Sequence, residues 1–433
     1  MKLSILTSPL LAALVSAAAN QPNTYPTLQL STDTAFNFEF LTALRNSLTG
    51  GSDIGPVLGV AQAIEPGNMT SYADEFLKLA KHTKAQAQDP ENAYDPANVR
   101  DTWFSASHYF RRADVYLHRN WSSPLLASVW AEQTAAFDKA IASLPIPGQR
   151  IRIPATEANF TVEAIWYAAA APESKSRKLP TLVIANGFDA AQEDSYHYFV
   201  AAALARGWNC ITYEGPGQPT VRRNQNIGFI PEWERVTTPV VDYILSEKAD
   251  LVDEDRVVLI GNSLGGYFAA RAAAFEKRLA ATVLIGGVWD TYAAFTKQLE
   301  PEILAVYEAG NYSDFDETVL SLRDAGELST DATWGLDQGL WAFKTHSPSE
   351  FFSRSKKFNL EGVAEKIDMP VFVGDAEFDA LYEGQPQKVK DAIGDKATLH
   401  RFEGVAGYHC QTGADQELSR TVFAWLNKTL GGA

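Results

Sequence analysis

Cysteine is nearly absent from this chain, which has only two, Cys210 and Cys410, among its 433 residues. Two cysteines are too few for the disulfide framework of a small secreted protein, and they exclude a cysteine-rich metal cluster. We therefore expect no metal and no cofactor. We also expect the two cysteines to remain unpaired, because Cys210 falls in a predicted strand and Cys410 in a late loop.

Positive charge is also scarce, because 37 basic side chains stand against 53 acidic ones and the net charge is −16. Such an excess of negative charge repels phosphate backbones and anionic lipid headgroups. The composition therefore argues against a nucleic-acid or membrane partner. A neutral or apolar small molecule is the simpler substrate.

Long apolar runs are missing after the N-terminus. Residues 1–19 begin with Lys2, continue through a mainly apolar stretch and end in small residues, which is typical of a secretory signal peptide. The apolar stretch is too short to span a bilayer. We therefore expect a secreted protein. Five Asn-X-Ser/Thr sequences are candidate N-glycosylation sites, at Asn68, Asn120, Asn159, Asn311 and Asn427.

The most informative motif that is present is the G-x-S-x-G sequence Gly261-Asn262-Ser263-Leu264-Gly265. A short β-branched run precedes it at 256–260, and a helical run follows it at 266–274. A serine between a buried strand and a helix is typical of a nucleophile elbow. The glycines let the strand and the helix approach closely around a strained serine. Ser263 is therefore the predicted nucleophile.

A nucleophilic serine needs a general base and an acid that orients it, which should follow in the order acid, then histidine. An acidic loop follows the apolar run 370–374 and offers two aspartates, of which we favour Asp379 and keep Asp375 as the alternative. His409 lies in a glycine-bearing loop after the last predicted strand. Four other histidines precede the elbow, one lies in a polar segment and one inside a strand, so His409 is the predicted base.

The negative oxygen that forms during acyl transfer needs backbone N–H donors. One is expected from Leu264, the residue after the nucleophile. The second is expected from Phe188, which follows the strand candidate 181–185. Gly187 permits a tight turn between the two.

An α/β architecture is predicted from the pattern of elements. Residues 20–150 carry helical periodicity at 72–82, 99–118 and 125–141, and we expect an N-terminal helical cap there. In residues 151–433 strand candidates alternate with helices, which predicts a catalytic domain with a mostly parallel, eight-stranded sheet covered on both faces. The strand candidates are 151–153, 160–167, 181–185, 210–213, 256–260, 281–286, 370–374 and 397–403.

One segment interrupts this alternation, because about 289–365 is too long for a plain crossover between two strands. We expect it to form a helical lid over the active site. Its large aromatic residues are more typical of a lid core than of direct substrate contacts. These residues are Trp334, Trp341, Phe343, Phe351 and Phe352.

Taken together, these motifs resemble the α/β-hydrolases with an N-terminal helical cap. That group includes fungal polyketide-shortening and fusarin-pathway hydrolases and the bacterial 2,6-dihydroxypseudooxynicotine hydrolase. The likeness runs over most of the chain after the signal sequence. Besides the elbow, it is carried by 107–113 (SHYFRRA), 186–189 (NGFD), 213–218 (YEGPGQ), Asp379 with 384–386 (GQP), and 407–410 (GYHC).

The resemblance implies a serine hydrolase that forms an acyl-enzyme and cleaves an ester, a lactone or a carbon–carbon bond of a β-diketone or polyketide-like compound, often as a homodimer. It also implies substrate contacts by Tyr109, Asp189 and Asp290. Two other functions remain open: an exported binding protein that keeps the fold without turnover, and a peptidase for short peptides. Retention of all three catalytic residue types argues against the first.

Overall fold

The computed structural model describes residues 27–155, 159–170 and 178–431. The predicted signal peptide lies outside these residues. Within them, helices occupy the chain up to residue 142, and a single eight-stranded sheet with flanking helices follows. Three clusters of buried apolar side chains result, one on each face of the sheet and one inside the N-terminal helices.

The N-terminal helices begin at polar caps. Asp33, Asn68 and Asp95 each accept a hydrogen bond from a backbone N–H in the first turn of the following helix. Aromatic side chains such as Phe36 and Tyr72 fill the space between these helices. The helices are α1 (Thr34–Arg45), α2 (Ile54–Ala63), α3 (Met69–Gln88), α4 (Pro96–Asp114) and α5 (Pro124–Ala142). The first two were not among the helical runs predicted from sequence.

The prediction of an eight-stranded, mostly parallel sheet is confirmed. The strands lie in the order β1-β2-β4-β3-β5-β6-β7-β8, and only β2 runs antiparallel to its neighbours. The central strands are buried on both faces, as is typical of a parallel sheet between two helical layers. The strands are β1 (Gln149–Pro154), β2 (Thr161–Tyr167), β3 (Leu179–Ala185), β4 (Asn209–Glu214), β5 (Val252–Asn262), β6 (Ala281–Ile285), β7 (Val371–Ala376) and β8 (Ala397–Phe402).

The remaining helices fall into two groups: one covers the sheet, and the other makes up the segment between β6 and β7. Those on the sheet are α6 (Ala201–Leu204), α7 (Pro219–Gln225), α8 (Glu234–Glu247), α9 (Gly265–Ala273), α15 (Gln385–Ile393) and α16 (Asp415–Leu430). The helices between β6 and β7 are α10 (Thr291–Thr296), α11 (Pro301–Glu308), α12 (Tyr312–Ala325), α13 (Thr330–Phe343) and α14 (Pro348–Ser355). The long insertion is therefore helical. No helix in the described part of the chain is both long and apolar enough to cross a membrane.

Buried ion pairs join the N-terminal helices to the sheet domain. On α4, Arg111 approaches Asp194 at 3.2 Å, and Asp114 accepts a hydrogen bond of 2.8 Å from Arg223 of α7. At the end of α1, Arg45 pairs with Asp415 at the start of α16. Buried charges are tolerated only when they are paired, and removal of one partner is strongly destabilising. These pairs therefore specify how the helices dock.

Strand β5 and helix α9 approach too closely for any side chain between them. A Cβ atom on Gly261 would lie 1.9 Å from the carbonyl oxygen of Gly265. A Cβ atom on Gly266 would lie 1.9 Å from the carbonyl oxygen of Gly286. Both oxygens belong to the backbone and cannot rotate away, so glycine is required at both positions.

We predict that Gly261→Ala lowers the free energy of unfolding by about 3 kcal/mol or more, because the new methyl group overlaps the backbone. Urea unfolding followed by circular dichroism measures the change. Gly59→Ala is the matched control: Gly59 lies exposed in α2 with no atom within 4 Å of the added carbon. That change should raise stability by about 0.5–1 kcal/mol. Equal stability of the two variants would contradict the prediction.

Candidate active site

Ser263 occupies a sharp turn between the end of β5 and the start of α9. Its φ angle is 58°, in the left-handed region that residues other than glycine rarely adopt. The Ser263 N–H donates to the carbonyl of Ile285 at 2.8 Å, and the Ser263 carbonyl accepts from Gly266 at 2.8 Å. Neighbouring backbone thus holds the serine in a strained conformation, as the elbow motif predicts.

The structure brings the three predicted side chains together. The distance from Ser263 Oγ to His409 Nε2 is 2.9 Å, and the distance from His409 Nδ1 to Asp379 Oδ2 is 2.6 Å. The three residues come from loops after β5, β7 and β8, which all end at the same edge of the sheet. This hydrogen-bonded chain can draw a proton from the serine hydroxyl when a carbonyl is attacked.

The charge state of His409 depends on its carboxylate partner. Burial alone lowers the pKa of an imidazole, but the charge and hydrogen bond of Asp379, together with the neighbouring Cys410, outweigh burial and raise the pKa of His409 well above its usual value. The ring also lies near Cys410, whose Sγ is 3.3 Å from His409 Nε2. Asp379 therefore favours the protonated ring that forms after proton transfer.

The alternative acid, Asp375, is engaged elsewhere. Its carboxylate accepts a hydrogen bond of 2.7 Å from Arg401 on the neighbouring strand. The two cysteines are both buried and free, so they form no disulfide. Among the described residues, no group of three or more His, Cys, Asp or Glu side chains is arranged to hold a metal ion.

The loop after β3 passes directly beside the elbow. A Cβ atom on Gly187 would lie 2.9 Å from the Ser263 Cβ and 3.3 Å from the Leu264 nitrogen. Gln218 holds this loop by donating to the carbonyls of Asn186 at 2.9 Å and Gly187 at 3.3 Å. Gly187, the residue before Phe188, therefore lies against Ser263 and the Leu264 nitrogen, and the oxyanion role of the Phe188 and Leu264 N–H groups stays a prediction.

Ser263 lies on the wall of a cavity of about 280 Å³ between α1, the loop after β3 and the helical insertion. Most of its wall is apolar, including Phe188, Phe295 and Leu336. A cavity of this size and polarity suits a small organic molecule. We call it the apolar cavity.

Only one of the three residues predicted to contact the substrate lies on the wall of the apolar cavity. Asp189 lines it. Tyr109 does not, because its ring is buried within the N-terminal helices and its hydroxyl accepts a hydrogen bond from the Asp53 N–H at 2.7 Å. Asp290 also lies outside the cavity wall; it caps α10 and accepts a hydrogen bond from Asn359. Of the three predicted substrate contacts, only Asp189 therefore lies on the wall of the apolar cavity.

The insertion contributes more to the cavity than the sequence indicated. Trp334, Phe351 and Phe352 line it, although we favoured a place in the lid core for them; Trp341 and Phe343 are buried in the core and do not line it. Sequence reasoning also missed Tyr382, whose ring centre is 5.7 Å from that of His409. The proximity of Tyr382 to Asp379 in sequence was the available signal.

Comparison with known proteins agrees with this geometry. Residues 182–413 match the sequence profile of the alpha/beta hydrolase family, and the chain belongs to that family. Fungal relatives extend the similarity over nearly the whole chain. Hydrolase LUC6 of a Fusarium species is 29% identical over 93% of this chain and 98% of its own length. The 20-hydroxy-prefusarin hydrolase FUS2 of Gibberella moniliformis is 26% identical over 91% of this chain and 96% of its own length.

The fold also matches solved structures that include the N-terminal helices. The 2,6-dihydroxy-pseudo-oxynicotine hydrolase superposes with a TM-score of 0.68 at 17% identity, covering 89% of this chain and 95% of that one. AbyA5 superposes with a TM-score of 0.60 at 16% identity, over 88% and 95% of the two chains. The predicted fold and the predicted resemblance are both confirmed, and the protein is a hydrolase.

We predict that Asp379→Asn lowers kcat by about 10³–10⁴-fold, because the imidazole loses the carboxylate that orients it and stabilises its positive charge. The acidic limb of the kcat/KM profile should also move to lower pH, since the group that raises the pKa of His409 is gone. Hydrolysis of a p-nitrophenyl ester across pH 4–9, a range chosen around the usual histidine pKa of about 6.5, measures both effects.

The matched control is Asp375→Asn, which removes a carboxylate from the end of β7, four residues before Asp379, where it bonds to Arg401. Its rate and pH profile should stay near those of the unchanged protein. Loss of activity in Asp375→Asn with normal activity in Asp379→Asn would show that Asp375, and not Asp379, is the acid.

Proposed function

We propose that this protein is a secreted serine hydrolase that forms an acyl-enzyme on a small, largely apolar carbonyl compound. The observation that carries the proposal is the chain of two hydrogen bonds from Ser263 through His409 to Asp379 at the end of an apolar cavity. Neither a buried binding site nor a structural ion pair requires a strained serine beside an imidazole.

In the proposed reaction, Ser263 Oγ attacks the substrate carbonyl while His409 Nε2 takes the hydroxyl proton. Asp379 keeps the ring oriented and stabilises the imidazolium. The backbone N–H groups of Phe188 and Leu264 receive the negative oxygen. His409 then protonates the leaving group, and a water molecule activated by the same ring releases the acyl group from the serine.

The leaving group decides the subclass. An alkoxide makes the reaction ester or lactone hydrolysis, and a resonance-stabilised carbanion makes it cleavage of a carbon–carbon bond in a β-diketone or polyketide-like compound. The names of FUS2 and of the 2,6-dihydroxy-pseudo-oxynicotine hydrolase point to small organic substrates for those proteins. The apolar cavity supports the same class of substrate here.

Export and glycosylation are part of the proposal. The signal-like residues 1–19 support secretion. All five asparagines of the Asn-X-Ser/Thr sequences lie at exposed positions, which is compatible with attached sugars. The homodimer implied by the resemblance stays a prediction.

Ser263→Ala should abolish covalent labelling by a fluorophosphonate probe and lower ester, lactone or β-diketone hydrolysis by about 10⁴–10⁶-fold, because no other nucleophile replaces the hydroxyl. Labelling is measured by intact-protein mass, and turnover with a panel of p-nitrophenyl esters, lactones and aryl β-diketones. Ser195→Ala serves as a control for labelling, since Ser195 is buried and bonds to Asn186 away from the cavity. Equal labelling and turnover in unchanged protein and Ser263→Ala would overturn the proposal.

Expression in a secreting eukaryotic host should release protein that begins near residue 20 and carries N-linked sugar. Treatment with an N-glycosidase should then lower its mass. Asn311→Gln should lower the mass of the untreated protein by that of one sugar chain, because Asn311 is exposed beside α12. N-terminal sequencing and intact mass measure both. Retention in the cell with residues 1–19 intact would contradict secretion.

A further inference from the structure

A second space adjoins the proposed nucleophile. It has a volume of about 60 Å³ and lies between α1, α4 and the loop after β3. We call it the polar chamber. Ser263 and His409 line both this chamber and the apolar cavity, as do Phe38, Glu39 and Asp189. A molecule whose carbonyl lies at Ser263 can therefore extend into both spaces.

The two spaces differ in chemistry. The apolar cavity has room for a chain or ring system of many atoms, whereas the polar chamber holds a few heavy atoms. The wall of the polar chamber is the more polar of the two and includes these charged and hydrogen-bonding side chains: Glu39, Thr42, Arg45, Arg112, Asp194 and Tyr198. A purely hydrocarbon group placed there would replace water around these side chains without giving them new partners.

Arg112 is a wall residue with hydrogen-bonding capacity left. It is buried on α4, and its Nη1 donates to the carboxylate of Glu39. Its Nη2 lies 4.0 Å from Asp194 Oδ1, beyond hydrogen-bond distance, and its buried Nε has no partner. Arg45, in contrast, is occupied by Asp415. Buried donors without an acceptor are rare and often mark a place where a ligand or water supplies one.

The charge of the wall indicates which acceptor fits. Three carboxylates, Glu39, Asp189 and Asp194, accompany the two guanidinium groups. These charges are already paired: Arg112 with Glu39, Arg45 with Asp415, and Arg111 behind the wall with Asp189 and Asp194. An anion would have to compete with these carboxylates, whereas a neutral carbonyl or hydroxyl oxygen can accept from the Arg112 donor that has no partner. The favoured ligand group is therefore short, neutral and oxygen-bearing.

We propose that the polar chamber is a second substrate subsite, in which Arg112 binds the oxygen of a short polar end while the longer apolar end fills the apolar cavity. The bond that is cleaved then lies at the junction of the two spaces. This inference rests on the proposed function, because it takes Ser263 as the point of attack. It adds that the substrate is asymmetric, with one short neutral end that carries oxygen.

The test uses binding to the Ser263→Ala protein, so that turnover is not needed. The probes are 2,4-tridecanedione and 4-tridecanone, which share a carbonyl and a nine-carbon tail and differ in one oxygen on the short end. We expect the diketone to bind about tenfold more tightly by calorimetry, because one oxygen accepts from a charged donor. Equal affinities would overturn the proposal.

Variants of Arg112 test whether this residue causes the preference for the diketone. Removing Arg112 alone leaves Glu39 as a buried, unpaired charge, so the main variant is Ser263→Ala with Glu39→Gln and Arg112→Met. We expect its preference for the diketone to fall below about twofold, whereas Arg112→Lys in the same background should keep part of it. An unchanged tenfold preference in the triple variant would overturn the role of Arg112.

A control in the other space separates general damage from loss of the subsite. Trp334→Phe lies on the wall of the apolar cavity and does not line the polar chamber. Trp334→Phe should weaken the binding of both ketones to the same extent and preserve the ratio of their affinities. Loss of the preference for the diketone in Trp334→Phe would contradict the proposal. Loss of turnover alone would instead bear on the proposed chemistry of Ser263, which the binding ratio does not measure.

Discussion

The site depends on one backbone constraint, the left-handed turn at Ser263 held between a parallel strand and a helix. A strained residue persists only where its surroundings over-determine it. Here they do so through close contacts that only glycine permits, at Gly261 and Gly266, and through backbone hydrogen bonds to Ser263. Because the turn lies at the edge of the sheet where several strands end, the loops that carry Asp379 and His409 reach it from neighbouring strands.

A second level of organisation comes from the helices that precede the sheet. They have an aromatic core of their own, and their contact with the sheet domain combines an apolar cluster, in which Phe104 and Phe137 pack against Tyr196, with buried ion pairs. Such pairs contribute little net stability and much positional definition when every charge has a partner. Arg112 follows that rule through its pair with Glu39, but its Nε has no partner, and it lines the same polar chamber as the proposed nucleophile. The same docking that completes the apolar cavity therefore also encloses a polar space with an unused donor.

Much of the fold and of the central site could be predicted from the sequence. The eight strands follow from short β-branched runs, and Ser263 and His409 from motifs tied to strand ends. The choice between Asp375 and Asp379 needed coordinates, because two carboxylates four residues apart differ only in where the loop turns. The burial of Tyr109 within the N-terminal helices could not be predicted, because a tyrosine near a distinctive motif has the same pattern whether it faces a ligand or a helix core.

The sequence by itself determined the class of fold, the elbow, and the order of nucleophile, acid and base, because these depend on local periodicity and on glycine at particular positions. Only the tertiary structure decided which aromatic residues of the insertion face the cavity, and that two spaces of different polarity meet at Ser263. The physical reason is that a cavity wall is assembled from side chains hundreds of residues apart. No local pattern records which of them face each other once the helices have packed.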